Sequence, residues 1–241
     1  MGRWRAVVFD LDDTLYPEHE YVRSGFRAVA EWVGREHGVH VDETYAELSA
    51  LFERGIRGNT FDRWLSRSTL SPLSRSLVPQ LVHVYRTHAP TISPFPEIPA
   101  LLSVLRGRYR LGLVSDGIDA VQRMKLQSLG LEDAFDAVVL SDALADGREA
   151  WKPSSRPFVA VATALRVAPC DAIYVADNPA KDFLGARSAG FGTIWCRHAR
   201  GEYSALVPPT AGHAADEVCD SLDALTERLA IGRILQPGAS G

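Results

Sequence analysis

The chain has 241 residues, 46% hydrophobic and 23% charged, with a formal net charge of −4. This is a globular composition, long enough for a domain that carries an insertion and too apolar for wholesale disorder. The balance gives no electrostatic case for nucleic acid or an acidic membrane, and no run approaches the roughly 18 apolar residues of a membrane span, so a small anionic substrate would need a local positive site.

The first apolar run, Ala6-Val7-Val8-Phe9, follows two arginines and stops at Asp10. It is too short for the core of a signal peptide and reads as a buried strand, Arg5–Phe9. From Pro17 to about Pro90 no strand is convincing. Amphipathic helices are expected instead at Tyr21–His37, Val41–Arg57, Thr60–Ser66 and Ser74–Thr87. A crossover between parallel strands needs only about a dozen residues, so this stretch reads as an inserted helical domain, residues 17–91. The proline-rich Pro90–Pro96 segment closes it as a stiff linker.

Beyond the linker, short β-branched runs alternate with helical ones. Strands are expected at Arg110–Val114, Ala137–Leu140, Ala172–Val175 and Thr193–Cys196. Helices are expected at Ile98–Arg106, Ala120–Leu129, Pro157–Leu165, Asp182–Ala189 and Ser221–Leu229. The alternation signals an α/β fold, a doubly wound Rossmann-like parallel sheet formed by residues 1–16 and 92–241. The tail after about Ile231 is expected to fray. Cys170, Cys196 and Cys219 are odd in number and widely spaced, which suits idle thiols in a reducing cytoplasm better than a disulfide or zinc framework.

Four short segments carry chemistry, each expected at the C-terminal end of a strand, where open parallel sheets bind ligands. In Asp10-Leu11-Asp12-Asp13-Thr14 two acids stand two residues apart, a spacing that points both the same way in extended chain. Such a pair can hold a hard cation such as magnesium, or divide the work of attack and proton transfer. Asp13 reads more simply as turn or cap chemistry. In Ser115-Asp116-Gly117 a small hydroxyl ends a strand before a glycine turn and can donate to a phosphate oxygen; Ser115 and Asp116 are candidate substrate contacts. Lys152 is one of only three lysines, with Lys125 and Lys181, in a chain that otherwise uses arginine. A compact ammonium there can neutralise a carboxylate nucleophile and an incoming phosphate. Finally, Asp177 and Asp182 sit five residues apart across a turn, able to share one cation.

Taken together and in this order, Asp10-x-Asp12-x-Thr14, Ser115, Lys152-Pro153 and Asp177–Asp182 resemble the haloacid dehalogenase-like superfamily, in its phosphatase branch. Ala176 departs from the glycine common in relatives at that place, a small-for-small change. The resemblance implies that Asp10 attacks phosphorus and becomes an aspartyl phosphate, while Asp12 protonates the leaving alcohol and later deprotonates water. It implies magnesium held by Asp10, the Asp12 carbonyl and Asp177, with Asp182 in or beside that shell, and a phosphoryl group bound by Ser115 and Lys152. It also implies that the helical insert is a cap over the core. Within it Arg54, Arg57 and Asn59, in the Arg54–Thr60 loop, are candidate substrate contacts. The expected substrate is a small soluble phosphomonoester, a sugar or cyclitol phosphate first and a nucleoside monophosphate second. The rival readings are a phosphomutase, a dehalogenase, and a non-catalytic binding module on the same fold.

Overall fold

In the computed structural model, residues 4–198 and 201–231 are described; the tail discussed above lies beyond them. Six parallel strands form one sheet in the order β3-β2-β1-β4-β5-β6. They are β1 (Ala6–Phe9), β2 (Arg110–Ser115), β3 (Ala137–Leu140), β4 (Ala172–Ala176), β5 (Gly192–Cys196) and β6 (Glu217–Cys219). Four helices form the insert: α1 (Glu18–His37), α2 (Val41–Glu53), α3 (Thr60–Leu65) and α4 (Ser74–Thr87). Five flank the sheet: α5 (Ile98–Arg106), α6 (Asp119–Ser128), α7 (Arg156–Leu165), α8 (Asp182–Ala189) and α9 (Leu222–Ile231).

The central strand β1 is hydrogen-bonded to β2 on one side and β4 on the other, with Phe9 level with Leu113 and Val175. Alternation sorts its side chains. Ala6 and Val8 join a core with Val114, Tyr174, Phe158 of α7 and Phe183 of α8, while Val7 and Phe9 point the other way and are equally buried. A strand buried on both faces has to be apolar throughout, which is why Ala6–Phe9 is an unbroken run. The chain order reverses at β1, so its carboxyl end opens on the crevice where such sheets take ligands.

The chain divides into two compact units. One holds the residues up to Pro17 together with those from Ser93 on; the other is Glu18–Ile92. The second has its own core. Val22, Phe26, Val29 and Val33 recur along one face of α1 and pack with Leu48, Trp64, Leu65 and Leu81.

Two expectations change. The edge strand β6 was not expected: three residues with only Cys219 buried leave almost no apolar signal. Helix α2 stops at Glu53, short of Arg57, because Arg54–Asn59 forms a turn before α3.

Candidate active site

The side chains converge on the carboxyl end of β1. Asp10 follows Phe9 directly, and its backbone N–H still donates to the Val175 carbonyl at 2.9 Å. Asp177 follows β4, and Asp182 opens α8. The three carboxylates are buried, and their nearest oxygens lie within 4.8 Å of one another. Lys152 Nζ lies 2.6 Å from Asp10 Oδ1 and 2.6 Å from Asp182 Oδ1, and also donates to the Tyr174 hydroxyl at 3.0 Å. Thr14 donates to Asp177 Oδ1 at 3.3 Å, and the Asn178 N–H to Asp182 Oδ2 at 3.0 Å.

Burial drives the electrostatics. It pushes the Asp10 carboxyl up to about 6, with Lys152 pulling it back down. Asp177 is raised well above the usual carboxylate range by burial and then by Asp182 and Asp10. Burial would lower Lys152, but Asp10, Asp182 and Asp116 outweigh it and hold the ammonium charged. Lys181 is kept charged in the same way, chiefly by Asp182 and Asp10 against burial and the repulsion of Lys152.

Asp10 Oδ2 and Asp177 Oδ2 are buried with no hydrogen-bond partner among the described residues. Buried carboxylate oxygens without a partner, in a cluster of acids, are costly. A hard divalent cation with oxygen ligands removes that cost, so Asp10, Asp177 and Asp182 fit magnesium.

Asp12 goes elsewhere. The chain leaves extended geometry after Asp10, and Asp13 takes φ 52° in a turn, so the two acids do not share partners as their spacing suggested. Lys125 Nζ lies 2.6 Å from Asp12 Oδ1, Gln122 Nε2 donates to Oδ2 at 2.9 Å, and the Tyr16 hydroxyl donates to Oδ1. Burial favours a neutral Asp12, but Lys125 and these hydrogen bonds outweigh it and hold the carboxyl below its usual range.

Ser115 ends β2, buried, beside this network. Asp116, a candidate substrate contact, accepts the Lys152 backbone N–H on both carboxylate oxygens at 3.2 Å. This carboxylate ties the β2 end to the lysine loop. That loop corrects one expectation. Lys152 does not sit at a strand end: β3 stops at Leu140, and a short helical turn at Ser141–Leu144 and a loop intervene. The lysine reaches the site because the loop lies tight on α8, where a β-carbon on Gly185 would fall 2.4 Å from the Pro153 carbonyl oxygen and 2.5 Å from that of Ser154. Only glycine allows that approach.

In the helical unit Arg54 caps α2 and Asn59 precedes α3. Arg57 donates to the Phe52 carbonyl at 2.5 Å and stacks 3.6 Å over the Phe52 ring.

Sequence reasoning passed over Tyr16, Gln122, Lys125 and Tyr174, and gave Lys181 no role. A signal existed for two of them: Gln122 and Lys125 share a helix face with Leu126 and Leu129, all buried. Polar residues on an apolar stripe are unusual without a partner.

Comparison with known proteins identifies the family. A family model described as haloacid dehalogenase-like hydrolase matches residues 4–190. The chain is 34% identical to a glyceraldehyde 3-phosphate phosphatase of Methanopyrus kandleri, over 85% of this chain and 88% of that one. It is 39% identical to a phosphoserine phosphatase of Thermus thermophilus, over 79% and 88%. Among solved structures, a HAD phosphatase from Thermococcus onnurineus superposes with a TM-score of 0.60 at 25% identity, covering 93% of this chain and 97% of that one.

Proposed function

This chain belongs to the haloacid dehalogenase-like hydrolases, and we propose that it is a magnesium-dependent phosphatase working through an aspartyl phosphate on Asp10. Its relatives named as phosphatases support a hydrolase of phosphoric monoesters. The observation that carries the reading is the buried trio Asp10, Asp177 and Asp182, with Lys152 set between Asp10 and Asp182.

Asp10, Asp177, Asp182 and the Asp12 carbonyl would hold magnesium, which when bound supplies positive charge to the phosphoryl oxygens. The Asp10 carboxylate attacks phosphorus as the ester bond to the alcohol breaks. Lys152 and the Ser115 hydroxyl offset charge on the transferring group. Asp12 hands a proton to the departing oxygen, then takes one from the water that cleaves the Asp10–phosphorus bond. At rest Asp12 is a carboxylate; a phosphate anion arriving beside it opposes Lys125 and raises its proton affinity, so that Asp12 takes up from solvent the proton it then donates. We assign the helical insert the role of a cap, with Arg54, Arg57 and Asn59 contacting the alcohol portion. The substrate is a small sugar phosphate, in keeping with a relative named for a triose phosphate.

The test is phosphate release from sugar phosphates, nucleoside monophosphates and p-nitrophenyl phosphate, with magnesium and with chelator. Release that needs magnesium and disappears in Asp10→Asn, checked by mass for reversion to aspartate, is the expected result. Turnover near the wild-type rate in that variant would remove Asp10 as the nucleophile.

A further inference from the structure

The Asp12 carboxylate is held at both oxygens by one helix. Helix α6 presents Gln122 and Lys125 three residues apart, so they share a face. Both are buried, at 1% and 4% exposure. Lys125 takes Oδ1 at 2.6 Å and Gln122 takes Oδ2 at 2.9 Å. A carboxylate gripped at both oxygens loses its freedom to rotate.

Gln122 does more than grip Asp12. Its Nε2 also lies 2.7 Å from Ser115 Oγ and 2.7 Å from the Asp116 carbonyl, so its two N–H groups face three acceptors and one of them is shared. By donating to Ser115 Oγ it occupies a lone pair there and leaves the serine proton to be given away. Among the described residues the proton's partner is the Asp116 carbonyl at 3.4 Å, a weak contact. One amide thus joins the phosphoryl-binding hydroxyl to the carboxylate that serves the leaving group. Gly117 makes room for it: at φ 121° it turns the chain, and a β-carbon there would lie 3.1 Å from Gln122 Cδ.

Stability alone does not call for such a network. Burying an ammonium and a carboxylate costs several kcal/mol per ion, and an apolar pair of equal volume is often as stable. Its use lies in fixing geometry. We propose that Gln122 and Lys125 are positioning residues that aim the Asp12 carboxyl at the leaving-group oxygen, in register with the phosphoryl group on Ser115. This rests on the phosphatase reading above, in which Asp12 is the proton donor.

Esters that differ in their need for a proton separate this role from a structural one. An alkyl phosphate must expel an alkoxide and needs the donor; p-nitrophenyl phosphate expels a stable phenolate and barely needs it. The value of kcat/KM reports the step that breaks the ester bond. It is to be measured for glycerol phosphate and p-nitrophenyl phosphate in wild type, Asp12→Asn, Gln122→Met, Lys125→Met and Lys125→Arg, each checked for folding by circular dichroism. General acid catalysis is worth roughly 10²–10⁴-fold. Gln122→Met and Lys125→Met are therefore expected to lose about 10-fold or more on the alkyl ester beyond their loss on the aryl ester. Lys125→Arg should recover part of that excess. Should Lys125→Met not fold, Gln122→Met and Lys125→Arg carry the comparison. Equal losses on both esters in these variants, while Asp12→Asn remains selective, would overturn the positioning role and leave the phosphatase reading intact. Equal losses in Asp12→Asn itself would overturn the proton-donor assignment, and this inference with it.

Discussion

Replacing Lys152 with methionine keeps most of the stem's volume and removes the charge. Its ammonium is fully buried, 2.6 Å from both Asp10 and Asp182. Without it those carboxylates and Asp177 confront one another with Lys181 as the nearby cation among the described residues. Removing one partner of a buried ion pair costs about 3–5 kcal/mol. At roughly 2–4 °C per kcal/mol for a chain of this size, the metal-free melting temperature should fall by about 10 °C. The deficit must also depend on pH. Burial already raises Asp10 to about 6, and Lys152 opposes that rise, so the variant's Asp10 titrates higher still. An acid raised above its unfolded value near 4 lends its stability below that value and loses it as pH climbs through the folded one. Wild type and variant should therefore differ less at pH 4.5 than at pH 8. Thermal unfolding in chelator, followed by circular dichroism at both values, decides the matter. A deficit of equal size at both, or none at pH 8, would mean that Lys152 is not the counter-ion of this cluster.

Two further outcomes are expected. Gly185→Ala sets a methyl group against two carbonyl oxygens at 2.4 and 2.5 Å; overpacking of that kind costs about 1–3 kcal/mol, and because it displaces the Lys152 loop, kcat should fall along with the melting temperature. An unchanged melting temperature would show that the loop does not press on α8. Of the cysteines, only Cys170 is exposed, and burial pushes the Cys196 thiol up to about 12. Ellman's reagent at pH 8 should thus titrate one thiol rapidly in the native protein and three after denaturation; a second fast thiol would contradict the buried placement of Cys196 and Cys219.

The sheet was legible because its strands are buried on both faces and so read as unbroken apolar runs, Ala6–Phe9 and Ala172–Ala176 above all. The edge strand was not, since Glu217-Val218-Cys219 has one side in solvent and no run to see. Asp10 and Asp177 could be singled out because acids that follow apolar strands have few bland explanations; Asp182, which opens a helix, reads by itself as a first-turn acid and stood out only through its place five residues after Asp177. Asp12 and Asp116 were harder, since spacing alone does not say where a side chain turns once the strand has ended. One faces α6, the other the lysine loop. The same limit hid Gln122 and Lys125: a helical pattern shows which face is buried, but naming their partner needs the tertiary packing that brings α6 over the end of β1. Among the described residues, no helix is long and apolar enough to cross a membrane.

The chain's three lysines all stand at one place: Lys125 on Asp12, Lys152 between Asp10 and Asp182, and Lys181 within electrostatic reach of Asp10. Growth on isotope-labelled lysine would therefore put every labelled ammonium of the protein around the reaction centre. A three-resonance NMR spectrum would then report on magnesium addition, phosphate binding and the proposed acyl phosphate with no background from the rest of the surface, because there the positive charges are carried by arginine.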